Sequence, residues 1–128
     1  MNLINFRILG DPVPKQSFVF ASRGRSHMKP RAREWQETVA STARVFYRED
    51  PLEIPLSVEM EFYVQKDRAD LDNLCKAVLD GLQGIIFKND RQVKRLVLTK
   101  SVSKIPCVIV KIKEVSYVRR NNPDRATA

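Results

Sequence analysis

The chain has 128 residues, 43% of them hydrophobic, with 23 Lys and Arg against 15 Asp and Glu, a formal net charge of +8. That length fits one domain with a real core, and no apolar run approaches the roughly 20 residues that a membrane-spanning helix needs. Two cysteines and one histidine exclude a disulfide framework, a His-rich metal site and a serine triad, and the positive charge favours a polyanionic partner.

Residues 3–9 form the first expected strand, because Ile4, Phe6 and Ile8 alternate with Asn5 and Arg7. The run Gly10-Asp11-Pro12-Val13-Pro14 stops it, since proline donates nothing to a strand ladder. Residues 15–30 make a basic loop carrying Lys15, Arg23, Arg25, His27 and Lys29. Within it, Ser22-Arg23-Gly24-Arg25-Ser26 reads as a turn or hairpin tip between Phe18-Val19-Phe20 and His27-Met28. A helix is expected from Pro30 to about Tyr47, with Trp35, Val39, Ala43 and Phe46 on its buried face.

Residues 56–64 give the clearest strand signal. Leu56, Val58, Met60, Phe62 and Val64 alternate with Ser57, Glu59, Glu61 and Tyr63. A second helix is expected over residues 71–83, with Leu71, Leu74, Cys75, Val78, Leu79 and Leu82 as its apolar stripe. Gly81 and Gly84 are expected to loosen its end, and residues 85–91 to form a short turn carrying Asn89-Asp90. Two strands follow, over 92–102 and 106–115. The order β-loop-α-β-α-β-β predicts an α+β two-layer sandwich, a mixed β-sheet covered on one side by two main helices. Residues 1–118 are expected to form the domain and 119–128 a frayed tail. The N-terminus lacks the layout of a secretory signal, so a cytoplasmic protein is expected.

Chemistry concentrates in residues 70–90. This stretch holds Asp70, Asp72, Asp80 and Asp90 against Lys76 and Lys88, a net of −2, so the rest of the chain carries +10. Hydrolysis of a phosphodiester requires an activated water and neutralisation of the developing charge, and Mg²⁺ bound by carboxylates supplies both. Two aspartates two residues apart on extended backbone point to the same side, about 7 Å apart at Cα. Lys76 lies one helical turn beyond Asp72, about 6 Å away at Cβ, placed to pair with a carboxylate, hold a phosphate or position a water. Asp90 is expected to close the site from the other side. Each feature also has an ordinary reading: Asp70 or Asp72 as a helix cap, Lys76 as a partner of Asp72 or Asp80 at a spacing of four, and Asn89-Asp90 as a turn pair.

The string Asp70-Leu71-Asp72-Asn73-Leu74-Cys75-Lys76, with Asp80 and then Asp90-Arg91-Gln92-Val93, resembles the RusA family of Holliday-junction resolvases. Arg23-Gly24-Arg25-Ser26-His27 resembles family sequence too, and the element order matches over residues 3–115. The resemblance implies a phage- or bacterium-encoded homodimeric endodeoxyribonuclease. It would resolve four-way junctions by paired nicks in recombination and repair, using Mg²⁺ with Mn²⁺ as a substitute. It implies Asp70, Asp72 and Asp90 as catalytic metal ligands and Lys76 as the catalytic lysine. Where relatives often carry an acidic pair, this chain has Asn89-Asp90, and Asp90 is taken as the functional member. Lys15, Arg23, Arg25, Lys29, Arg68 and Lys94, with Arg95, Lys100 and Lys104 nearby in sequence, are candidate DNA contacts, each of which a solvated basic surface also explains. The alternatives are a branched-DNA-binding protein of the same fold with weak or no cleavage, and a phosphohydrolase acting on a small phosphate or unstructured nucleic acid.

Overall fold

Alternation and helical period translate directly into the element order. In a computed structural model that describes residues 3–15, 19–20, 26–27 and 30–116, the chain forms β1 (Ile4–Leu9), β2 (Val19–Phe20), β3 (Ser26–His27), α1 (Pro30–Phe46), β4 (Leu56–Val64), α2 (Leu71–Leu82), β5 (Val93–Val102) and β6 (Cys107–Glu114). A short 3₁₀ turn, Asp90–Gln92, precedes β5. The main sheet has the order β1-β6-β4-β5. β6 runs antiparallel to both of its neighbours, and β4 and β5 are parallel. The sheet is therefore mixed and the fold α+β, as expected. β2 and β3 pair antiparallel, Val19 opposite His27 and Phe20 opposite Ser26, which fits the hairpin reading. Its expected tip at Arg23 and Arg25, like Lys29 and the tail 119–128, lies outside the described residues. Among the described residues no helix is long and apolar enough to cross a membrane.

One face of the sheet carries Phe6, Ile8, Val58, Met60, Phe62, Val108, Val110 and Ile112, all buried against the two helices. Trp35, Val39 and Ala43 of α1 and Leu74, Cys75, Val78, Leu79 and Leu82 of α2 complete the core. Phe46 departs from expectation: it is 57% exposed, at the rim of the layer, where its ring stacks on that of Phe6 with centroids 5.7 Å apart. On the opposite face, Arg95 reaches Ser57 Oγ at 3.0 Å and Glu59 at 3.2 Å.

Gly81 does not loosen the helix end. It lies inside α2 where that helix meets α1, and a Cβ there would stand 2.7 Å from Val39 Cγ1 and 3.2 Å from the Gln36 carbonyl oxygen. Gly84, beyond the helix, has φ +86, the left-handed region that favours glycine. Gly81→Ala gains about 1 kcal/mol of helix propensity. The forced separation of the helices costs more, and a net loss of about 1–3 kcal/mol is expected in urea unfolding. Residues 85–91 are more than a turn: Ile86 and Phe87 are fully buried, and this segment bonds to Leu52 through Leu52 N–H to Ile86 O at 2.8 Å and Lys88 N–H to Leu52 O at 3.2 Å.

The β4-α2-β5 crossover sets the position of the site. It places the start of α2 just past the end of β4, and the 3₁₀ turn just before β5.

Candidate active site

Asp70 is the residue that caps α2 by position. Its backbone is extended, with φ −69 and ψ 142, yet its side chain makes no capping hydrogen bond. The carboxylate is exposed and has no hydrogen-bond partner among the described residues. A capping role, the ordinary explanation of an aspartate here, is thus not the one its side chain performs. The segment leading to it is tied down by Lys100, whose ammonium donates to the Ala69 carbonyl at 2.6 Å and pairs with Asp67 at 2.6 Å. Lys100 is therefore a tether for the start of α2. Asp72 is exposed as well, and its Oδ1 accepts the Asn73 N–H at 2.9 Å.

One turn further, Lys76 sits between two acids. Its ammonium lies 2.7 Å from Asp90 Oδ2 and 3.3 Å from Asp80 Oδ1. The hydrogen bond to Asp90 raises the pKa of Lys76 above the usual lysine value; partial burial opposes this and Asp80 reinforces it. The side chain therefore stays charged across the neutral range. Asp80 Oδ2 in turn holds Lys15 Nζ at 2.6 Å, and the Lys15 N–H donates to the Asn73 carbonyl at 2.9 Å.

Asp90 is oriented by its neighbours. Asn89 Oδ1 accepts the Arg91 N–H at 2.9 Å, while Gln92 Oε1 accepts the Asn89 N–H at 2.9 Å, a reciprocal cap around the 3₁₀ turn. Gln92 Nε2 is fixed by the Leu52 and Ile54 carbonyls at 2.8 and 3.1 Å. Gln83 Oε1 accepts the Asp90 N–H at 2.9 Å. Asn89 thus serves the turn, which leaves Asp90 as the acid presented to the site.

The structure brings Lys76, Asp80, Asp90 and Lys15 into one ionic chain beside α2, with Asp72 in the first turn of that helix and Asp70 at its N-cap. Lys76 turns towards Asp80 and Asp90, away from the Asp72 partnership that its spacing also allowed. Among the described residues no three His, Cys, Asp or Glu side chains gather as a metal-holding group, so Asp90 meets Lys76 rather than closing a three-acid set. The donor chemistry at Asp70 and Asp72 nevertheless fits Mg²⁺, which binds through one or two carboxylates and takes its other ligands from water and substrate phosphate. Exposed ion pairs contribute only about 0–1 kcal/mol each, so stability does not account for three in succession at one helix face.

Of the other sequence candidates, Arg68, Lys94 and Arg95 are all exposed, and Arg95 pairs with Glu59. Cys75 and Cys107 are buried free thiols, and burial pushes Cys75 up to about 11, which suits a packing role. Sequence reasoning missed Gln83, Gln92 and Lys100 as supports. The Asn89-to-Gln92 spacing is a capping-box signal that could have revealed the second; the other two carry no such signal.

The family model described as Endodeoxyribonuclease RusA matches residues 10–113. A curated relative, the uncharacterized protein YqaN of Bacillus subtilis, is 30% identical over 144 residues, covering 91% of this chain and 99% of the relative. Nucleases of this family generally depend on divalent metal and bind branched DNA junctions. The match spans both helices, β4, β5, all but the last residue of β6 and the whole Asp70–Asp90 stretch, and leaves out β1: the chain belongs to the RusA endodeoxyribonuclease family.

Proposed function

We propose that this protein is a Mg²⁺-dependent, structure-specific endodeoxyribonuclease that resolves Holliday junctions by paired nicks in recombination and repair. It works in the cytoplasm of a bacterial cell as a homodimer, with Mn²⁺ as an alternative metal. The observation that carries the reading is the exposed Asp70 carboxylate, left out of helix capping and followed by Asp72 two residues on and by Lys76 one turn after that. Asp70 and Asp72, joined by Asp90, would hold Mg²⁺, which would supply an activated water and neutralise charge on the phosphate. The chain's own residues do the rest. Lys76, protonated across the neutral range, offers a positive charge to the scissile phosphate or orients the attacking water. Asp80 and Asp90 hold it on the outward face of α2. The 3₁₀ turn, fixed by Asn89, Gln92 and Gln83, presents Asp90 to that face. Exposed cations such as Arg68 and Lys94 contact backbone phosphates, which gives affinity without base readout. Two-fold protein symmetry matches a junction that two coordinated nicks resolve.

A second reading, a junction-binding protein that does not cut, draws support from Asp90 being occupied by Lys76. Competition and cleavage together separate the readings. The expected outcome is preference for a four-way junction over linear duplex, binding that weakens steeply with added salt, and nicked duplex products. Tight, junction-selective binding without nicks under every divalent metal supports the second reading. Equal affinity for junction and duplex contradicts both.

A further inference from the structure

Asp80 is the acid of the α2 face to which neither metal binding nor capping assigns a role, and it is the most heavily used. Its two oxygens are divided between lysines distant in the chain: Oδ2 lies 2.6 Å from Lys15 Nζ and Oδ1 3.3 Å from Lys76 Nζ. Lys15 is anchored twice on α2, by this ion pair and by its N–H on the Asn73 carbonyl at 2.9 Å. It also opens the stretch 15–29, which carries four Lys or Arg and no acid.

We infer that Asp80 is a positioning residue that couples Lys15 to Lys76. The inference rests on the nuclease reading above. A helical lysine leans towards the helix N-terminus, here towards Asp72. Asp80, one turn on the other side, draws Lys76 the opposite way, to where it meets Asp90. Lys15 occupies the second oxygen of Asp80 and so fixes the orientation of the carboxylate. Lys15 and the lysine that serves the phosphate therefore share one acid. Asp80 is 21% exposed and Lys76 45%, so the pair belongs to the solvated class whose loss leaves folding nearly unchanged. The effect of removing it falls on alignment.

The test is a cycle of Asp80→Asn, Lys15→Ala and the double variant, with Asp80→Glu as the charge-keeping control. It reads single-turnover cleavage of a synthetic four-way junction, junction affinity without metal, and acylation of lysine amines by mass spectrometry relative to Lys113. Asp80→Asn is expected to slow cleavage about tenfold with affinity within about threefold, and Asp80→Glu to recover most of the rate. Lys15→Ala is expected to slow cleavage in the wild-type background and to add nothing in the Asp80→Asn background, the signature of a shared interaction. Acylation of both Lys15 and Lys76 should rise in Asp80→Asn. A cutting wild type whose Asp80→Asn variant cuts equally fast overturns the inference, as do additive effects of the two substitutions or unchanged acylation at Lys76. A wild type that cuts nothing instead removes the nuclease reading and the catalytic role of Asp80 with it, while acylation still decides whether the acid joins the two lysines.

Discussion

Asp72→Asn is expected to abolish junction cleavage, slowing the single-turnover rate by at least about 10³-fold, while junction binding stays equal or tightens. A 10³-fold loss is about 4 kcal/mol of transition-state stabilisation, the scale expected when a metal loses an anionic ligand that offsets its charge and fixes its position. The side chain is exposed and its one described hydrogen bond, Oδ1 to the Asn73 N–H at 2.9 Å, is available to an asparagine as well. The fold therefore survives, and thermal unfolding should coincide with wild type. Binding holds because one negative charge fewer faces the phosphates. Quantitative binding and single-turnover cleavage on the same junction check both halves. Cleavage at the wild-type rate by Asp72→Asn would falsify the assignment of this acid.

Lys76→Ala has the second largest expected effect, a loss of about 10²–10³-fold in cleavage by a protein that is still folded. The side chain buries little and its ion pairs are exposed, so a stability change below about 1 kcal/mol is expected, even though Asp80 and Asp90 are left facing one another. Lys15 remains on Asp80 and softens that repulsion. Lys76→Arg should rescue poorly. A guanidinium is a planar fork, and the two acids on either side of Lys76 hold a compact ammonium at 2.7 and 3.3 Å. Because Asp90 and Asp80 keep Lys76 protonated above the usual lysine range, raising the pH from 6 to 9 does not switch it off. Circular dichroism and cleavage measured together check the prediction; an unfolded Lys76→Ala protein would make the residue structural.

Much of this was legible beforehand because it rests on local period. The alternation of Leu56 to Val64 fixes one face of β4, and Trp35, Val39 and Ala43 fix one stripe of α1. The D-x-D-N-L-x-K string marks the start of α2. What was not legible depends on contacts between distant segments. Lys76 lies four residues from both Asp72 and Asp80, so its spacing favours neither; Asp90, brought in by the crossover to β5, decides between them. Gly81 reads as a helix breaker in isolation, and only the approach of Val39 turns it into a packing requirement. Ile86 and Phe87 sit between turn signals, yet both are buried because Leu52 pairs with their backbone. Phe46 keeps the helical phase but lies where the layer ends, so periodicity alone overstated its burial.

Metal-dependent cutting by the acids at the start of α2 is the central claim. The most direct measurement is single-turnover incubation of a 5′-labelled four-way junction with the wild-type protein, with and without Mg²⁺. The expected result is a pair of symmetrically placed nicks that release nicked duplexes, dependent on the metal and absent in its chelated control. A junction that is fully bound yet remains intact with Mg²⁺ and with Mn²⁺, or one cut equally well in the presence of chelator, would contradict it.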